Sequence, residues 1–138
     1  MILHAFTDGA SRGNPGESGI GILIMTEEGE ILLTASGYIG VATNNIAEYT
    51  ALVAMLRRAR RLRCTRMIAH SDSELMVRQM RGEYKVKDEN LRKQHAKAAS
   101  LLDELPFPCE LRHVPREQNR EADRLANLAI ETRRRIRV

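Results

Sequence analysis

Thr43-Asn44-Asn45-Ile46-Ala47-Glu48-Tyr49-Thr50-Ala51-Leu52-Val53-Ala54-Met55-Leu56-Arg57-Arg58-Ala59-Arg60-Arg61-Leu62 is the stretch in which the hydrophobic pattern of the chain changes period. Leu52, Met55, Leu56, Ala59 and Leu62 recur at helical spacing and mark one apolar face. Asn45 with Glu48 three residues on has the form of a capping box, Asn standing where Ser or Thr is usual. The spacing therefore predicts a helix from near Asn45 to about Leu62. Everything before it reads differently. Ile2–Thr7 is short and apolar and breaks at Asp8-Gly9, Gly19–Thr26 alternates Gly with aliphatic residues, and Ile31–Tyr38 follows a Glu28-Gly29 turn. These are three strands of an antiparallel meander. Gly9–Gly16, rich in Gly, Ser, Asn and Pro, reads as an irregular exposed loop between the first two.

Downstream, strands and helices alternate. Met67–His70 reads as a strand ending at Ser71-Asp72, then come helices at about Ser73–Arg81 and Asp88–Leu105, the second closed by Pro106 and Pro108. Cys109–Val114 reads as a last strand, and Asn119 opens a final helix with Ala122, Leu125, Ala126, Ala129 and Ile130 on its apolar side. Such alternation requires crossover connections and a parallel part of the sheet. The expected fold is α/β: a mixed five-stranded sheet, three antiparallel strands followed by parallel ones, flanked by helices. One domain over residues 1–132 and a short basic tail over 133–138 are expected.

The bulk figures fit a soluble globular chain. It has 138 residues, 43% hydrophobic and 29% charged, enough to bury a core without disulfide or metal staples. No apolar run is long enough to cross a membrane, and the N-terminus has no signal-peptide pattern, so a cytoplasmic protein is expected. Cys64 and Cys109 are too isolated to make a disulfide framework or a zinc motif. The net charge of +4 rests mainly on arginine, in the runs Arg57–Arg66 and Arg133–Arg137. A basic balance favours phosphate backbones as partners, although a solvated helix face or a frayed tail has the same composition.

Four acids fall at the edges of these elements. Asp8 ends the first predicted strand, Glu48 lies in the first turn of the long helix, Asp72 ends the fourth strand, and Asp123 stands near the start of the last helix. In open α/β sheets, ligand sites form beyond the carboxyl ends of strands. Carboxylates gathered there repel and need a counter-charge, which hard divalent cations supply. Each acid also has a purely structural reading: a turn at Asp8-Gly9, a capping-box partner at Glu48, an N-cap at Asp72, a charge favoured by the helix dipole at Asp123.

Phe6-Thr7-Asp8-Gly9-Ala10-Ser11-Arg12-Gly13-Asn14-Pro15-Gly16, Thr43-Asn44-Asn45-Ile46-Ala47-Glu48-Tyr49, Ser71-Asp72-Ser73 and Asn119-Arg120-Glu121-Ala122-Asp123, in this order, resemble ribonuclease H of type 1. Tyr84–Leu91 is similar too, and the resemblance covers about residues 3 to 130. It implies a ribonuclease H-like fold and an endonuclease that cuts the RNA strand of an RNA–DNA hybrid, leaving 5′-phosphate and 3′-hydroxyl ends. It implies two Mg²⁺ ions with substrate bound, Mn²⁺ as a substitute, held by Asp8, Glu48, Asp72 and Asp123. It places Gly9, Ser11, Gly13, Asn14, Thr43, Asn44, Asn45 and Ser73 against the substrate, with 2′-hydroxyls read by the amides and by Glu48, and Thr43 beside a DNA-strand phosphate. A monomer is expected.

The sequence departs from the family pattern twice. Many members carry a histidine in a longer loop before the last helix. Here only Pro115-Arg116-Glu117-Gln118 links Val114 to Asn119, and His113 falls on the strand before it. Arg116 or Glu117 is the candidate replacement. Some relatives also insert a basic, Trp-bearing protrusion where this chain has Gly82–Lys87 and no Trp. Tyr84, Lys85, Lys87 and the C-terminal arginines remain as phosphate contacts, so binding should be weaker and strongly salt-dependent. The alternative activity is a hybrid-binding module without cleavage. Against it stand the four acids, which binding alone does not need.

Overall fold

The structure is a computed structural model and describes residues 1–138. In chain order it contains β1 (Ile2–Gly13), β2 (Gly16–Thr26), β3 (Ile31–Ala42), α1 (Asn44–Ala59), β4 (Arg66–Ser71), α2 (Glu74–Met80), α3 (Glu89–Glu104), β5 (Cys109–His113), a 3-10 turn at Arg116–Gln118, and α4 (Arg120–Thr132). The strands form one sheet in the order β3-β2-β1-β4-β5. β1, β2 and β3 are antiparallel neighbours, whereas β4 runs parallel to β1 and β5 parallel to β4. The mixed sheet is the one the alternation of periods predicts.

Strand alternation sends successive side chains to opposite faces, and a helix covers each. Leu3 and Ala5 of β1 and Ile20, Ile22 and Ile24 of β2 meet Leu52, Val53, Met55 and Leu56 of α1 in a fully buried core, with α3 packed behind. The other face of β2 carries Gly19 and Gly21 and receives α4 through Ala122, Leu125 and Ala126. A Cβ on Gly21 would stand 2.1 Å from the carbonyl oxygen of Ala122, so α4 lies on bare backbone there.

The expected irregular loop at Gly9–Gly16 is not present. β1 continues through Asp8 and Gly9 to Gly13, paired with β2 residue by residue from Gly9↔Ile20 to Gly13↔Gly16, and only Asn14-Pro15 turns. The glycine at position 9 meets a packing demand: a Cβ there would lie 2.2 Å from the carbonyl carbon of Ala47 in α1. The first helix also starts differently. Its N-cap is Thr43, whose hydroxyl accepts from the Ile46 amide at 3.2 Å, and it ends at Ala59, leaving Leu62 in the following turn. Asn45 caps nothing, because it is already inside the helix.

The last six residues fold back on the domain. The Tyr38 amide of β3 donates to the Arg134 carbonyl at 2.7 Å. Ile136 fills the space over Gly37, and the guanidinium groups of Arg57 and Arg58 donate to the carbonyls of Val138 (2.8 Å) and Arg137 (2.7 Å).

Candidate active site

The parallel ladder between β1 and β4 ends at the pair Thr7↔Ser71. Beyond it β4 stops and β1 goes on with β2 alone, so the sheet forks. Asp8 and Asp72 are the next residue on each branch, which puts both carboxylates at the fork. Glu48 is brought there from α1, and the Gly9 amide donates to its Oε1 at 3.0 Å. That bond excludes the capping-box role for Glu48. The bare backbone of Gly9 is what lets α1 approach closely enough to form it. The capping role expected of Asp72 falls to Ser73, whose hydroxyl accepts from the Met76 amide at 3.3 Å.

One carboxylate oxygen each from Asp8, Glu48 and Asp72 lie within 4.8 Å of one another. Asp123, in the first turn of α4, lines the same cleft of about 500 Å³ but stands outside this tight trio. Its helix is pinned to the fork by Asn119, only 1% exposed, whose side-chain amide donates to the Thr7 carbonyl at 2.9 Å. The Asn127 amide steadies Asp123 in turn, at 3.3 Å from its Oδ1.

The electrostatics of the trio are unfavourable as they stand. Burial pushes the Asp8 carboxyl far above the usual carboxylate range, and the charges of Glu48, Asp72 and Asp123 push it further. Glu48 is raised by burial and then by Asp72, against the pull of the Gly9 amide and of Arg116. Asp72 is raised by burial too, with Arg116 opposing. Arg116, from the 3-10 turn, is the one cation lining the cleft. All donors are hard oxygens, and the crowded carboxyls favour ionisation only beside added positive charge. This chemistry fits a hard divalent cation such as Mg²⁺ or Mn²⁺.

The remaining candidates divide into groups. Gly9, Ser11 and Asn44 line the acidic cleft. Asn14 stands at its rim, with its Oδ1 accepting from the Asn44 amide at 3.1 Å, so the β1–β2 turn and the start of α1 are clasped together. Gly13 shapes that turn with φ +102°. Thr43 and Ser73 spend their hydroxyls on helix caps, and Asn45 is exposed on the first turn of α1. His113 closes β5, exposed and not among the cleft residues. Asn127 is a site residue that the sequence reading missed. Its signal was its position four residues after Asp123 on one helix face.

A sheet of this order, with acids gathered where β1 and β4 part, defines a ribonuclease H-like chain. Residues 6–129 match the family described as reverse transcriptase-like. The chain is 39% identical over 129 residues to ribonuclease HI of Halobacterium salinarum, covering 94% of this chain and 64% of that protein. It is 42% identical over 132 residues to the bifunctional protein Rv2228c of Mycobacterium tuberculosis, covering 95% of this chain and 35% of that one. It thus spans less than two thirds of the length of either. Among solved structures, RNase H1 from H. salinarum superposes with a TM-score of 0.90 at 38% identity, covering 96% of this chain and 99% of that one. LC11-RNase H1, solved in complex with an RNA/DNA hybrid, gives 0.89 at 42% identity, covering 95% and 98%. The chain belongs to the ribonuclease H type 1 family.

Proposed function

We propose that this chain is an endoribonuclease that hydrolyses the RNA strand of RNA–DNA hybrids, leaving 5′-phosphate and 3′-hydroxyl ends. The observation that carries the reading is the convergence of Asp8, Glu48 and Asp72 beside the Asn14–Asn44 clasp. Asp8, Glu48, Asp72 and Asp123 would hold two divalent ions, Mg²⁺ or in its place Mn²⁺, which supply an activated water and charge neutralisation of the departing 3′-oxygen. The position of Asp8 within β1 and of Asp72 directly after β4 orients the ligands, and the Gly9 amide holds Glu48 in one rotamer. Asn14 and Asn44, with the backbone around Gly9, Ser11 and Gly13, reach the minor groove, where a 2′-hydroxyl separates RNA from DNA. Asn45 flanks that groove, and Thr43 and Ser73 support it from the caps of α1 and α2.

Arg116 takes the place of the loop histidine found in many relatives, because it is the cation at the cleft that can meet a charged product. Glu117, on the same turn, is the weaker candidate. Residues 1–132 form the hydrolase domain and 133–138 its basic tail, and the working unit is a cytoplasmic monomer. No helix is long and apolar enough to cross a membrane.

The test is cleavage of an end-labelled hybrid beside matched duplex RNA and duplex DNA, with Mg²⁺, with Mn²⁺ and with chelator, for the native chain and Asp8→Asn. Metal-dependent cutting confined to the RNA of the hybrid, and lost in Asp8→Asn, is expected. Hybrid binding without cutting under either metal would make the chain a binding module instead.

A further inference from the structure

The acidic cleft leaves the two arginine runs unused, and the fold brings them together. The C-terminal segment lies in an alternating, strand-like course: Ile136 and Val138 pack inward, whereas Arg135 and Arg137 are exposed. Its carbonyls are held by Tyr38, Arg57 and Arg58, so the direction of its side chains is fixed. The Arg135 guanidinium lies 5.1 Å over the Tyr38 ring. Neither Arg135 nor Arg137 has a carboxylate within ion-pair reach.

This segment flanks a groove whose floor is Val41, Ala42 and Ile46. The same three residues floor a second groove walled by Lys93 and Lys97 of α3, which also lack carboxylate partners. Val41 is 69% exposed. The result is a continuous belt, basic at both walls. Pro15 and Thr43 line this belt and Asn44 lines the acidic cleft, so the Asn14–Asn44 clasp adjoins both. A duplex with one backbone in the cleft would pass over that clasp and bring its other backbone toward the belt.

We infer that the folded-back segment Arg133–Val138 is a nucleic-acid grip, with Arg135 at the wall of the Val41–Ile46 groove and Arg137, exposed two residues further along the segment, holding phosphates of the uncleaved DNA strand. The inference rests on the hybrid reading and adds to it the element that binds the second strand. Guanidinium groups suit the task, since they bind phosphate oxygens through paired N–H groups and stay charged. The anchored backbone keeps the entropic cost of ordering them low.

The experiment separates charge from packing. Arg135→Gln/Arg137→Gln keeps Ile136 and Val138, and a thermal melt checks that the tail stays docked. Hybrid binding is measured by titration in the Asp8→Asn background, where substrate is not consumed, at several salt concentrations. Cleavage is measured in the native background. Removing two guanidinium–phosphate pairs should lower the slope of log Kd against log salt by roughly 2. Kd and KM at low salt should rise together, by about tenfold. Hybrids with methylphosphonate linkages in the DNA strand should no longer distinguish the variant from its parent, while the same linkages in the RNA strand should leave the difference intact. An unchanged Kd and salt slope in a protein that does bind and cut hybrids overturns the grip and leaves the tail a packing element. Loss of the difference with RNA-strand methylphosphonates overturns the strand assignment. A native chain that neither binds nor cuts hybrids overturns the functional reading itself, which is a separate outcome.

Discussion

The acidic cleft and the basic tail are two crowded sets of like charge, handled in opposite ways. In the cleft the charges are buried: Asp8 is 4% exposed and Glu48 9%. Both of these carboxyls are pushed upward, by burial first and by their neighbours after it. At the tail the arginines face solvent, where screening makes mutual repulsion small. The apolar residues between them do the anchoring. Concentrated charge in the interior is thus a demand for a counter-ion, whereas spread charge at the surface is an available contact.

The sharpest way to break the cleft is Asp8→Asn. It should lower kcat with Mg²⁺ by about 10³-fold or more, since it removes one of the carboxylates that would hold the divalent ions. A single-turnover assay checks it, and a loss below tenfold would remove Asp8 from the centre of the site. Gly9→Ala should come next. Its Cβ would collide with the Ala47 carbonyl, so α1 must retreat and Glu48 with it. A stability loss of about 3 kcal/mol in urea unfolding is expected, with activity falling even where the protein remains folded. At the tail, Ile136→Ala should cost about 1–2 kcal/mol, because a half-buried apolar side chain leaves its place over Gly37. The two tail arginines, changed to Gln, should cost under about 0.5 kcal/mol in the same assay. Equal costs would erase the distinction between anchor and contact.

The smallest effect concerns the metal-free protein. The Asp8 carboxyl has a raised folded-state pKa, so it favours the folded state while protonated. That advantage is complete below the ordinary aspartate value and is lost as pH rises toward the folded-state value. At pH 8 without metal the Asp8 carboxyl, ionised in the unfolded chain, must take up a proton to fold, and this opposes folding; Asp8→Asn should therefore raise Tm by about 3–6 °C, the equivalent of roughly 1 kcal/mol. The gain should shrink toward zero near pH 4, and saturating Mg²⁺ should reverse the order of the two proteins. Calorimetry with chelator and with Mg²⁺ reads all three.

Element order and the four acids were legible in the sequence because each depends on local signals: a change of period, a strand end, a helix start. Tertiary demands were not. A glycine that makes room for a helix is spelled like one that makes a turn, so Gly9 read as the start of a loop. Thr43 and Asn45 are both fit to cap a helix, and only the path of β3 into α1 selects Thr43. Glu48 has the spacing of a cap partner, yet its hydrogen bond goes to Gly9, 39 residues away. In the C-terminal run the arginines mask the alternation of Ile136 and Val138, whose partners on β3 and α1 are remote in sequence.

The fork after Thr7 and Ser71 has a consequence for how such a chain can vary. The offset between Asp8 and Asp72 is fixed by a hydrogen-bonded register, and registers change only in whole residues. A one-residue slip would turn one acid to the opposite face of the sheet. Spacing at this centre is therefore digital. Insertions or deletions in the connections that follow, at Gly82–Lys87 or Pro115–Gln118, cannot tune it by small degrees, and they leave it untouched so long as the ladder stays in register. The peripheral grips can be rebuilt freely around a core that admits only all-or-none change.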